Sequence, residues 1–145
     1  MTRWVMAVLL ALALPALASA QTSSLTVNLA DPAFGGPVSF TAVYPREATK
    51  AAGQTQPDFT NPQVNLSCYW NGAQVYSSVF LIESEAHNAD GTLTGTSYVK
   101  TLSSPEWSGP PADCSAVLYY FSKNSGKCCD LQLNVLVQLQ FQVTN

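Results

Sequence analysis

Leu131, Leu133, Val135, Val137, Leu139, Phe141 and Val143 occupy successive odd positions near the end of the chain, and Gln132, Asn134, Leu136, Gln138, Gln140 and Gln142 occupy the even ones. A period of two carried this far describes a β-strand with one buried face, because successive side chains of a strand point to opposite sides. A helix would need apolar spacings of three and four, which are absent. The odd positions are therefore expected to face a core together.

Shorter segments follow the same rule. Leu25 and Val27 alternate with Ser24, Thr26 and Asn28. Val38, Phe40 and Ala42 alternate with Ser39 and Thr41. Val64, Leu66, Cys68 and Trp70 alternate with Asn65, Ser67 and Tyr69. Asn71-Gly72 follows, a type I′ hairpin pair, and Val75, Tyr76, Val79, Phe80 and Ile82 mark the returning strand. Residues 98–102 form a weaker segment. Cys114, Ala116, Leu118 and Tyr120 then alternate with Ser115, Val117, Tyr119 and Phe121, and Asn124-Ser125-Gly126 marks a further turn. Seven short strands without a helix indicate an all-β, antiparallel sandwich. Residues 46–62 and 83–96 are polar and charged, and read as exposed loops.

The ends and the composition bound the class. Arg3 precedes an apolar run over residues 5–17, and Ala18-Ser19-Ala20 offers the small residues a signal peptidase needs. Residues 1–20 are expected to be removed, leaving 21–145 as one domain exported to the periplasm or the extracellular space. The run is short for a membrane span, and no cysteine follows it closely, so neither stable membrane insertion nor a lipid anchor is expected. Net charge is −3, with charged residues only 10% of the chain. A nucleic-acid binder shows a basic stripe, and none is present.

Several stretches resemble the immunoglobulin-like β-sandwich superfamily, most closely its short secreted bacterial domains. Asp31-Pro32-Ala33-Phe34-Gly35-Gly36-Pro37-Val38-Ser39-Phe40 resembles the A-to-B passage. Leu66-Ser67-Cys68-Tyr69-Trp70-Asn71-Gly72 with Val75-Tyr76 resembles strand C and the C–C′ hairpin, and Pro111-Ala112-Asp113-Cys114-Ser115-Ala116-Val117-Leu118-Tyr119-Tyr120 resembles the approach to strand F. Antibody-type domains bridge strands B and F. Here strand B has no cysteine. The resemblance instead puts Cys68 late in strand C and Cys114 early in strand F, neighbouring antiparallel strands, and so implies a cross-strand disulfide within one sheet. Thiols of an exported protein generally pair. Cys128 and Cys129 lie beyond strand F and out of reach of that pair. They join each other in a vicinal ring, or one faces outward to a second chain, or they bind a metal; two adjacent thiols are a poor ligand set for the last.

Catalytic chemistry finds little support. The single histidine, His87, sits in an acidic stretch with Glu83 and Glu85 and without a G-x-S-x-G nucleophile signature. Asn88-Ala89-Asp90-Gly91 lacks the closing ligands of a calcium loop and reads as a turn. Asn65-Leu66-Ser67 is a glycosylation sequon placed inside a strand. No catalytic residue, metal or cofactor is assigned. Tyr119 and Phe121 on strand F and Tyr69 on strand C share an outward phase and are expected to gather on one surface. With Lys123, Asn124 and Lys127 of the F–G turn they form the candidate binding surface of a cell-surface adhesion module, whose partner would be a protein or a glycan. The alternative is a structural subunit, a homo-oligomer joined through Cys128 or by strand addition at the unguarded last strand. Against strand addition, sandwiches normally pair that strand with both strand F and the N-terminal strand.

Overall fold

The computed structural model describes residues 22–28, 33–48, 61–123 and 131–144, without the side chains of Ser84 and Lys123. The expected signal segment lies outside them. Nine strands run in chain order among the described residues: β1 (Ser24–Val27), β2 (Pro37–Val38), β3 (Phe40–Pro45), β4 (Gln63–Trp70), β5 (Ala73–His87), β6 (Thr92–Ser97), β7 (Lys100–Thr101), β8 (Ala112–Lys123) and β9 (Leu131–Val143). Seven are hydrogen-bonded in the order β1-β3-β6-β5-β4-β8-β9, and β2 with β7 forms a small ribbon. Every pairing is antiparallel.

One long strand makes two layers out of this sheet. The first part of β5, through Leu81, pairs with β4, and the second part, from Ile82, pairs with β6. The ladder with β6 slips between Glu83 and Ala86, an irregularity of the kind that bends and twists a strand. The layer β5–β4–β8–β9 therefore folds over the layer β1–β3–β6–β5. The alternation seen in the sequence supplies the core between them: Phe40, Ala42 and Tyr44 from β3, Val64, Leu66 and Cys68 from β4, and Ala116 and Leu118 from β8 are all buried. The hairpin after β4 turns as expected, with positive φ at both Asn71 (49°) and Gly72 (80°), the type I′ signature.

Three expectations are corrected. Residues 83–96 are not a loop: β5 continues to His87, residues 88–91 turn, and β6 follows. The acidic, hydroxyl-rich composition hid the strands, although Thr92 of β6 is itself buried. Residues 98–102 contribute only the two-residue β7. Finally, among the described residues β9 pairs with β8 alone; β1 packs near it without forming a ladder. Of residues 46–62, Arg46–Ala48 form a single 3-10 turn.

Gly95 of β6 sits where Tyr44 and Ile82 cross. A Cβ there would overlap the Ile82 side chain and lie 2.9 Å from Tyr44 Oη, so glycine is required by close approach. The buried Tyr44 hydroxyl donates a hydrogen bond to Glu85 Oε1 at 2.8 Å. Burial, then the bond to Glu85 and its negative charge, push the Tyr44 pKa well above the ordinary value of 10.0. In the unfolded chain Tyr44 ionises near pH ~10. Its contribution to stability is thus complete below that pH and is lost as pH rises further, because the unfolded state releases a proton the folded state retains. Urea-unfolding midpoints are expected to fall above pH ~10, and Tyr44→Phe to flatten that alkaline decline while costing about 1 kcal/mol at neutral pH.

Candidate recognition surface

The outer face of the β5–β4–β8–β9 layer is built row by row from the strand register. Leu81, Gln63, Tyr119 and Val135 form one row across β5, β4, β8 and β9; Val79, Asn65, Val117 and Gln138 form the next. Beyond the first row, Phe121 lies opposite Leu133 and Lys123 opposite Leu131. Tyr119 and Phe121 meet edge to face, with ring centroids 5.5 Å apart, a favoured aromatic geometry. The Tyr119 hydroxyl donates to Gln63 Oε1 at 3.0 Å, and partial burial raises its pKa.

A bulge brings the apolar residues of β9 to this face. Leu118 pairs with Val137 and Tyr119 with Val135, which leaves Leu136 without an opposite residue. One inserted residue reverses the phase of everything on its far side. From Val137 onward the odd residues lean on the core as expected, ending at the buried Val143. Before the bulge, Leu131, Leu133 and Val135 turn outward and are 48%, 54% and 59% exposed. This corrects the expectation of one buried face along the whole strand. Val79 and Leu81 of β5 add to the same surface and are also exposed. The result is an apolar and aromatic area on β8 and β9, with Val79 and Leu81 of β5 beyond the polar Gln63 and Asn65 of β4, the kind of patch that marks an interaction site.

Tyr69 does not join it. It shares the outer face but pairs with Asp113, whereas Gln63 pairs with Tyr119. Six register steps separate the two, roughly 20 Å at ~3.3 Å per residue. Tyr69 instead borders a shallow depression with Asp113, Ser115, Gln140 and Gln142, where Gln142 Nε2 donates to Asp113 Oδ1 at 2.8 Å. The side chain of Lys123 and residues Asn124, Lys127, Cys128 and Cys129 lie outside the described residues. Cys68 and Cys114 are directly opposite in the β4–β8 register and are joined, with S–S 2.01 Å and Cα–Cα 4.0 Å.

Polar groups of the β5–β6 turn bond to one another. His87 pairs in register with Leu93. Asp90 Oδ1 accepts from the Thr92 amide at 2.9 Å and its hydroxyl at 2.6 Å, which holds the Asp90 pKa below its ordinary value. Asn88 Nδ2 donates to the Thr92 and Thr94 hydroxyls, each at 2.9 Å. These oxygens and amides lock a turn. Among the described residues no group of three or more His, Cys, Asp or Glu is placed to hold a metal ion, and no helix is long and apolar enough to cross a membrane.

Val79, Leu81 and the outward part of β9 escaped sequence reasoning. Two signals pointed to them. Residues 79–82 are apolar at four consecutive positions, which a strand with one wet face does not need. Leu136 is the one apolar residue at an even position of β9, and it marks the bulge. Comparisons with protein families, with curated proteins and with solved structures each give no match to this chain.

Proposed function

We propose that this chain is an exported immunoglobulin-like domain that binds a protein or a glycan at the cell surface through the outer face of its β5–β4–β8–β9 layer. The observation that carries the reading is the outward apolar area around Tyr119, Phe121, Leu133 and Val135. A buried core already satisfies the layer's other side, so these residues add nothing to folding that polar residues would not. The division into β1–β3–β6–β5 and β5–β4–β8–β9 matches the A-B-E-D and C′-C-F-G layers of that superfamily. The Cys68–Cys114 disulfide and the apolar segment over residues 5–17 support export. The reading assigns the domain no catalytic role, cofactor or metal, and no nucleic-acid partner.

The test uses fluorescently labelled protein and intact cells of the source organism. The double variant Tyr119→Ala/Phe121→Ala is expected to lower cell-associated label at least about tenfold, the loss typical of paired aromatic anchors, while its far-ultraviolet spectrum stays unchanged. Equal labelling by wild type and variant overturns the reading. A second function, that of structural subunit in an extracellular assembly, is favoured by one specific observation: β9 is an edge strand without a charged residue or proline.

A further inference from the structure

We infer that β9 is a self-association edge, and that a second copy of this chain adds to it antiparallel about Leu133, joining two four-stranded layers into one continuous sheet. The inference rests on the assembly function just described and names its partner. Alternate residues of an edge strand turn their N–H and C=O groups away from the sheet, a template that fits another strand. Proteins blunt such edges with charge, proline or covering groups, and the two ends of this layer differ in that respect. At the β5 end, Lys100 Nζ donates to the Val79 carbonyl at 2.7 Å and to Ser78 Oγ at 2.8 Å, and the Ser104 hydroxyl donates to the Val75 carbonyl. A lysine and a serine thus cap that edge. At the β9 end side-chain amides bond to β8, Asn134 to Ser122, Gln138 to Ser115 and Gln142 to Asp113, and the Asn134 amide also donates to the Gln132 carbonyl of β9 itself at 3.0 Å; no lysine from another element caps this edge among the described residues. No strand among the described residues pairs with the far side.

A neutral strand admits a second copy. A two-fold antiparallel pair sets the residue on the axis against itself, so a charge there would oppose its own copy. β9 carries no charge in a chain of net charge −3. Centred on Leu133, the pair opposes Leu133 to Leu133, Leu131 to Val135 and Gln132 to Asn134. The three outward apolar residues then meet their counterparts on one face, and the uncharged Gln132 and Asn134 side chains lie on the other. The bulge at Leu136 bounds this register, since pairing beyond it would break the phase.

Sedimentation velocity on the full exported chain tests this. Wild type at about 50 µM, a range suited to a small interface, is expected to sediment at twice the mass of one chain. Leu133→Lys sets two ammonium groups against each other and is expected to restore the single-chain mass, while Leu81→Lys, on the same face but at the capped edge, leaves the dimer intact. In a Cys128→Ser/Cys129→Ser background the dimer persists, and adding Leu133→Cys gives a covalent dimer on oxidation. A single-chain mass for wild type overturns the self-association, and cell labelling then still decides the binding function separately. A dimer surviving Leu133→Lys but lost with Leu81→Lys overturns edge pairing in favour of face stacking. Loss of the dimer in the serine background assigns assembly to the cysteine doublet and overturns the β9 edge.

Discussion

Replacing Cys68 and Cys114 together by Ala is expected to remove about 4 kcal/mol of unfolding free energy and to lower the melting temperature by roughly 15 °C. The bridge closes a loop with a sequence separation of 46. Cross-linking a loop of that size removes many conformations from the unfolded chain, and the chain-entropy treatment gives this magnitude. Both cysteines are buried and stand opposite one another in register, so the bond tethers β4 to β8 where they already pair. The folded state is therefore expected to keep its far-ultraviolet spectrum, and the loss to come from the unfolded side. Thermal melts and urea titrations of wild type and variant measure it. A change below about 1 kcal/mol, the size of an ordinary surface substitution or small cavity, would show that the bridge does not hold the domain together.

Phe80→Ala is expected to cost about 4 kcal/mol, within the range for truncating a fully buried aromatic. Phe80 is 0% exposed. Its ring meets Phe40 edge to face at a centroid distance of 5.1 Å, and Lys100 Nζ lies 5.1 Å from its centroid. Phe40 belongs to one layer and the first part of β5 to the other, so this pair clamps the two layers beside the point where β5 crosses between them. Truncation leaves a cavity that neither layer can close without shifting the strand shared by both. Phe80→Leu keeps most of the volume and is expected to cost less than about 1.5 kcal/mol. Equal costs for the two substitutions, read from urea midpoints at unchanged slope, would contradict this account of the core.

The fold was legible where alternation was clean. The phases of Val64–Cys68 and Cys114–Leu118 gave the buried faces of β4 and β8 directly, and the resemblance to a C–F pair placed the disulfide. Three features were not legible, each for a physical reason. β6 reads as loop because Thr92, Thr94 and Thr96 alternate with only one large apolar residue, Leu93, and with Gly95, whose role is to leave room for Tyr44 and Ile82. The crossing of β5 between layers has no local signature, because the chain stays extended on both sides of it. The bulge at Leu136 is a single-residue event, and β9 read without its partner gives one phase from end to end. Of the candidate surface, the outward placement of Tyr119 and Phe121 came from their phase, Tyr69 was placed with them because phase carries no distance along the strand, and the aliphatic half depended on the bulge.

That bulge decides whether the apolar residues of β9 belong to the core or to the outer face, and cross-strand nuclear Overhauser effects between β8 and β9 measure it directly. The structure predicts that Leu118 lies opposite Val137 while Tyr119 lies opposite Val135 and Phe121 opposite Leu133. The Tyr119 ring should then show contacts to the Val135 methyl groups. An unbroken ladder, with Tyr119 opposite Leu136 and Ser122 opposite Leu133, would return Leu131, Leu133 and Val135 to the core side and would contradict both the recognition surface and the self-association edge built on it.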